Sequence, residues 1–198
     1  MTALALAGGS ALLFGVDSWR AYLDLVVPLQ TAIMNHGTGM FTTMMPSAYM
    51  GLRLLGVAQE ARTAVQLLLF GLTLAGVLWT FARSRDDVLK LAVLAVGTFV
   101  ASPYAFNYDM TTASLAVALL ALRGLRAGFL PGERVVLAMT WLLPITIHWF
   151  NGNNAPVGPV VLLACFGYLI WRVRAEVRGR APEAAPVRPP QPALDANR

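Results

Sequence analysis

The chain has 198 residues, 57% of them hydrophobic and only 13% charged, with a formal net charge of +5. A soluble domain averages about 25% charged residues, so six apolar bands in this length leave little room for a separate soluble domain. The basic residues flank those bands instead of forming one patch, which argues against nucleic acid and for anionic lipid headgroups as their partners.

The bands fall at 3–16, 63–82, 88–101, 110–123, 135–150 and 157–171. Threaded alternately through a membrane, they leave Arg83, Arg85, Lys90, Arg123, Arg126, Arg134, Arg172, Arg174, Arg178 and Arg180 on one side, which the positive-inside rule makes cytoplasmic. The opposite, extracytoplasmic side collects the stretch 17–61 and the turns 102–109 and 148–158. The expected fold is an all-α polytopic bundle of about five to six membrane helices, with interfacial helices on the extracytoplasmic side. Residues 1–174 form a single integral membrane domain of a multi-pass inner-membrane protein.

The first band is too short to span comfortably, since about 20 residues are usual. It resembles a signal-peptide core but lacks a basic segment before it; a third reading makes it the end of a longer helix. From Asp17, the residues Trp19, Tyr22, Leu23, Val26, Leu29, Ile33 and Met34 recur at helical spacing, and this predicts an amphipathic interfacial helix. Pro28 is expected to kink it and NHGTG at 35–39 to end it. A shorter helix is expected from Pro46 to Gly56. Residues 63–82 make the clearest span, rising ~30 Å. The band at 88–101 is shorter and stops at Ser102-Pro103, which predicts irregular backbone at membrane depth, tolerated where protein or a water-filled cavity surrounds it. Pro144 is expected to bend the fifth band. The Pro/Ala-rich residues 175–198 read as a disordered cytoplasmic tail.

Four groups of residues are candidates for a site. Tyr104, Asn107, Tyr108 and Asp109 cluster after the short band, and an ionisable group at membrane depth is usually functional; Asp109 also suits a plain helix cap. Arg20, Arg53 and Arg62 are the basic residues of the extracytoplasmic side, and guanidinium binds phosphate in a bidentate manner. Against that, Arg20 has Asp24 four residues on and Arg62 has Glu60 nearby. His36 and His148 lack convergent carboxylates and make a weak metal signal, so no metal ligand is assigned and no cofactor is required. Asn151, Asn153 and Asn154 suit sugar hydroxyls or a turn equally well. Cys165 is the only cysteine and sits inside the last band, without metal-ligand spacing around it.

DSWRAYLDLVVPLQ at 17–30, MPSAYMGLRLLG at 45–56, the long apolar helix and ASPYAFNYDM at 101–110, in that order and spacing, resemble the C-terminal half of glycosyltransferase family 87. These are polyprenol-phosphate-sugar-dependent, mannosyltransferase-like proteins of the GT-C superfamily. The resemblance covers about residues 3–172. Ser102, Pro103, Tyr108 and Asp109 match the family's SPYxxxYD element, while Tyr104 stands where the family often has histidine.

The resemblance implies a membrane enzyme that moves a hexose, mannose by family habit, from a polyprenyl-phosphate donor to a glycolipid or polysaccharide acceptor. Arg20, Arg53 and Arg62 would hold the lipid phosphate. Tyr104, Asn107, Tyr108, Asp109, His148 and Asn151 would line the cavity. The family's catalytic aspartate is expected in a first extracytoplasmic loop that this sequence does not show, so no catalytic residue is assigned here. The resemblance thus implies a fragment, a misplaced start or one half of a split protein, with the other half as a partner. The competing reading is a non-catalytic, lipid-binding membrane subunit. A small transporter is disfavoured, because no matching pair of broken helices appears in two halves.

Overall fold

The computed structural model describes residues 2–179, and all of the regular structure described is helical. The first arm holds α1 (Thr2–Phe14), α2 (Val16–Ala21), a π-turn at Tyr22–Val26, and α3 (Val27–His36). The expected kink at Pro28 takes the form of this wider turn. Pro28 has no N–H to return to the carbonyl of Asp24, and the N–H of Val27 instead reaches back to the carbonyl of Tyr22. Trp19, Tyr22 and Leu23 are exposed, and Trp19 Nε1 donates to Ser10 Oγ at 3.1 Å, which ties α2 to α1.

After α4 (Met40–Thr43) comes α5 (Ala48–Leu54). It starts two residues later than Pro46, because Ser47 is the cap: its Oγ accepts from Met50 N–H. The rest of the described chain is a bundle of α6 (Gln59–Arg83), α7 (Asp87–Ala101), a 3₁₀ turn at Asn107–Met110, α8 (Thr111–Ala127), α9 (Glu133–Gly152) and α10 (Val157–Val177). Among the described residues three segments, Gln59–Arg83, Asn107–Ala127 and Glu133–Gly152, are long and apolar enough to cross a membrane. They contain the bands expected at 63–82, 110–123 and 135–150. The bands at 3–16 and 88–101 form shorter helices, α1 and α7, and the band at 157–171 lies within the 21-residue α10. That last helix continues through Val177, and the remainder of the expected tail, 180–198, lies outside the described residues.

The 15-residue α7 is the centre of the bundle. Asp86 caps it, with Oδ1 accepting from the N–H groups of Val88 and Leu89. Leu89, Val93, Val96 and Val100 are buried against Val117 and Leu120 of α8, Ile147 of α9, and Leu162, Leu169 and Val173 of α10. Helix α6 packs on the outside of α7. Its spanning window is mostly exposed, as suits an outer helix whose solvent is lipid.

The start of α10 depends on close approach. A Cβ on Gly158, at the start of α10, would stand 2.7 Å from Ile147 Cδ1 and 2.9 Å from the Cα of Pro46. The backbone at Pro46 cannot step aside as a side chain can. Gly158→Ala is therefore expected to cost about 1–3 kcal/mol, measured as a lowered midpoint of thermal unfolding in detergent. An unchanged midpoint would mean that the 45–47 segment is held less tightly than this geometry implies.

Candidate functional site

One end of the bundle gathers the N-terminal turns of α5 and α6, the C-terminal ends of α7 and α9, and the turn 102–109. Polar side chains hold these together. Gln66 of α6 accepts the N–H of Tyr49 on Oε1, and its Nε2 donates to the carbonyls of Val100 and Ala101. One buried amide therefore covers a first-turn backbone donor of α5 and the last carbonyls of α7, groups that helices leave without internal partners. Asn151 of α9 does the same for the 43–45 segment, with Nδ2 donating to the carbonyls of Thr43 and Met45. His148 lies one turn earlier on α9, and its Nδ1 is 2.7 Å from Thr43 Oγ1. Asn107 Nδ2 donates to the carbonyl of Pro144, and its own N–H donates to the carbonyl of Met44. Asn107, His148 and Asn151 thus hold the segment 43–45 and the 3₁₀ turn against α9.

Asp109 is placed by a reciprocal pair of bonds. Its Oδ2 accepts the N–H of Phe106 at 3.0 Å, and its own N–H donates to the carbonyl of Phe106 at 3.1 Å. The carboxylate caps the 3₁₀ turn and remains exposed. With Tyr104, Ser102, Thr98 and Thr112 it lines a cavity of about 320 Å³ whose walls are completed by Phe99 and other apolar residues. Tyr104 is shared between this cavity and an aromatic cluster of which the sequence marked only Tyr104 and Tyr108. Phe106 stacks on Tyr108 at 5.2 Å and meets Tyr104 edge-on at 5.1 Å, and Phe41 reaches it from α4. Tyr108 is 62% exposed, so one ring face is open. The signal for the cluster was the aromatic spacing in SPYAFNYD, but the contribution of Phe41 required the fold.

The three arginines have different surroundings. Arg20 pairs with Asp17 at 3.1 Å, not with Asp24, and is fully at the surface. Arg53 reaches across to the end of α3, where it donates to the carbonyls of Met34 (3.0 Å) and Gly37 and thereby caps that helix. Arg62, in the first turn of α6, is only 7% exposed. Its guanidinium lies 4.9 Å from the centre of the Tyr49 ring, its Nε has no hydrogen-bond partner, and among the described residues no carboxylate, Glu60 included, pairs with it.

Tyr49 in turn donates its hydroxyl to Asn35 Oδ1, so the ring under Arg62 is fixed. Burial first, and then repulsion from Arg62, holds the Arg53 guanidinium below the usual arginine range, with Tyr49 acting in the opposite direction. Two neighbouring cations without a carboxylate between them form an arrangement that an anion would relieve. Among the described residues no three histidine, cysteine, aspartate or glutamate side chains converge in a metal-ligand group, and His36 and His148 take no part in one.

The fold and this end of it define a class: a helical membrane protein with a cationic, aromatic-rimmed polar site where its helices end. The model of glycosyltransferase family 87 matches residues 1–103. This is more than half of the chain, which therefore belongs to glycosyltransferase family 87. The matched part contains Arg20, Arg53, Arg62, Gln66 and the Ser102-Pro103 turn, and it ends before Tyr104 and Asp109. No curated protein matches, and no solved structure does.

Proposed function

We propose that the chain contributes the lipid-phosphate and cavity residues of a membrane enzyme that transfers a hexose, mannose in the first instance, from a polyprenyl-phosphate donor to a glycolipid or polysaccharide hydroxyl on the extracytoplasmic face of the cell's inner membrane. The observation that carries this reading is the pair Arg53 and Arg62, two partly or fully buried guanidiniums with no carboxylate between them, at the same helix ends as the Asp109 cavity. A lipid-linked phosphate supplies the missing charge and anchors its chain in the surrounding bilayer. The open face of Tyr108 and the polar rim of Ser102, Tyr104 and Asp109 suit a sugar ring.

The acceptor oxygen attacks the anomeric carbon, the bond to phosphate oxygen breaks, and polyprenyl phosphate leaves on the arginines. The acceptor's proton passes to a carboxylate base, a role assigned to none of the described residues. Asp109 is read as ordering the cavity and not as that base, because its Oδ2 is committed to Phe106. The reading needs no metal or cofactor. The basic end of the bundle, with Arg83, Arg126, Arg134 and Arg174, faces the cytoplasm in this arrangement.

The test is transfer of label from a radiolabelled polyprenyl-phosphate hexose to membrane glycolipid in proteoliposomes. The expected result is labelled acceptor with the wild type, and a loss below about tenfold for Asp109→Asn, whose amide oxygen still accepts from Phe106. A fall of about 10²–10⁴ would make Asp109 the base after all. Donor binding without any transfer would instead identify a non-catalytic, lipid-binding subunit of a split transferase, completed by a second chain.

A further inference from the structure

A second concave surface lies at the other end of α8 and α9. The two helices converge on the loop 128–132, and beside that loop they leave a groove of about 490 Å³ between them. Its walls are Val117, Ala121, Phe129, Leu137 and Trp141, with Arg134 at the end nearest the loop. Ala121 and Ala138 give the groove its depth, because the positions on facing helix surfaces carry only methyl groups. Trp141 is half-exposed along one edge. Arg134 is not loose: its guanidinium carbon lies 4.7 Å from the centre of the Phe129 ring, which holds the cation over the groove mouth.

Some charges at this end are matched, while Arg83, Arg85, Arg174 and Arg178 form no ion pair among the described residues and lie outside the groove lining. Arg123 pairs with Asp86, Arg172 with Glu133, and Lys90 with Asp87. Arg126, in the last turn of α8, and Arg134, in the first turn of α9, are both exposed and have no carboxylate partner among the described residues. A narrow apolar slot that faces lipid, with two unmatched guanidiniums at its membrane-surface end, has the shape of an acyl chain below a negative headgroup.

We propose that the groove between α8 and α9 is an anionic-phospholipid site that takes one acyl chain between the helices and holds the headgroup phosphate on Arg134, with Arg126 as the second cation. The site is separate from the Arg53–Arg62 end and does not depend on the transferase reading. The net negative headgroup is what the two guanidiniums select; a zwitterionic headgroup brings its own cation and gains little from them. A lipid wedged there braces α8 against α9 where Gly128 and Gly132, both at positive φ, give the loop its sharp turns.

The experiment is native mass spectrometry of the purified full chain with phosphatidylglycerol or phosphatidylcholine of identical acyl chains. The wild type should retain phosphatidylglycerol in preference to phosphatidylcholine by about tenfold. Arg134→Gln should abolish that preference, and Arg134→Lys should restore part of it, since ammonium keeps the charge without the bidentate geometry. Ala138→Phe, which fills the slot, should lower retention of both lipids with the helical content unchanged by circular dichroism. Equal retention of the two lipids by the wild type would overturn the proposal, as would undiminished preference in Arg134→Gln. Either result leaves donor binding at Arg53 and Arg62 untouched.

Discussion

Replacing Glu133 by alanine is expected to destabilise the protein by about 3–5 kcal/mol, the largest loss foreseen for a single side chain here. Glu133 and Arg172 form an ion pair with both side chains 5% exposed or less, at the start of α9 and near the end of α10. The same carboxylate accepts the N–H of Leu130 on Oε2 at 2.8 Å, and so closes the α8–α9 loop as well. It also lies in the first turn of α9, where a negative charge is favourable against the exposed N–H groups. Alanine removes all three contributions and leaves Arg172 buried and unpaired.

For a chain of this size, about 2–4 °C accompanies each kcal/mol, so the thermal midpoint in detergent should fall by about 6–20 °C. The double variant Glu133→Leu/Arg172→Leu should recover much of the loss, because a buried ion pair replaced by well-packed apolar groups is often neutral or better. A single variant that loses less than about 1 kcal/mol would mean that Arg172 finds water or headgroup when its partner is gone.

The second large effect is expected on ligand affinity. Arg62→Gln should weaken binding of polyprenyl-phosphate hexose by about 10–150-fold, the equivalent of one charge-assisted hydrogen-bond interaction of about 1.5–3 kcal/mol. The ligand-free variant should be no less stable than the wild type. Burial of an unpaired cation costs several kcal/mol, which exceeds the roughly 0.5–2 kcal/mol returned by its position over Tyr49. A residue kept for the fold would show the reverse: lower stability and unchanged affinity.

Arg53→Gln should lose both affinity and stability, since it also releases the carbonyls of Met34 and Gly37. Arg20→Gln is the control. Its charge is exposed and already paired with Asp17, and binding should not change. Isothermal titration in nanodiscs reads all three, and equal affinities across the series would remove the arginines from the donor site.

These predictions separate residues that looked alike in the sequence. Arg20, Arg53 and Arg62 formed one group by their side of the membrane, yet one is a surface pair, one caps a helix and one is a buried, unmatched cation. Asn107, His148 and Asn151 read as cavity groups from their position, and the fold gives each a partner in the backbone or side chain of another segment. Gln66 passed unnoticed, although an amide within an otherwise apolar span was a signal that something inside needed hydrogen bonds. The short band at 88–101 looked like an interrupted span. It is the buried centre of the bundle, and neighbours on several sides supply the packing that its length does not.

The sequence by itself determined the helical, membrane-embedded class and the separation of basic from polar ends. Hydropathy and helical period are local properties, legible over one or two turns of helix. It suggested Asp109 as the cap of the helix that follows, but the carboxylate turns back to the N–H of Phe106 and closes the 3₁₀ turn, and α8 has no side-chain cap. Only the tertiary structure decided which charges are matched. Glu133 finds Arg172, Asp86 finds Arg123, and Arg62 finds only the face of Tyr49. Compensation of charge acts through space between helices far apart in the chain, and no spacing along the sequence encodes it.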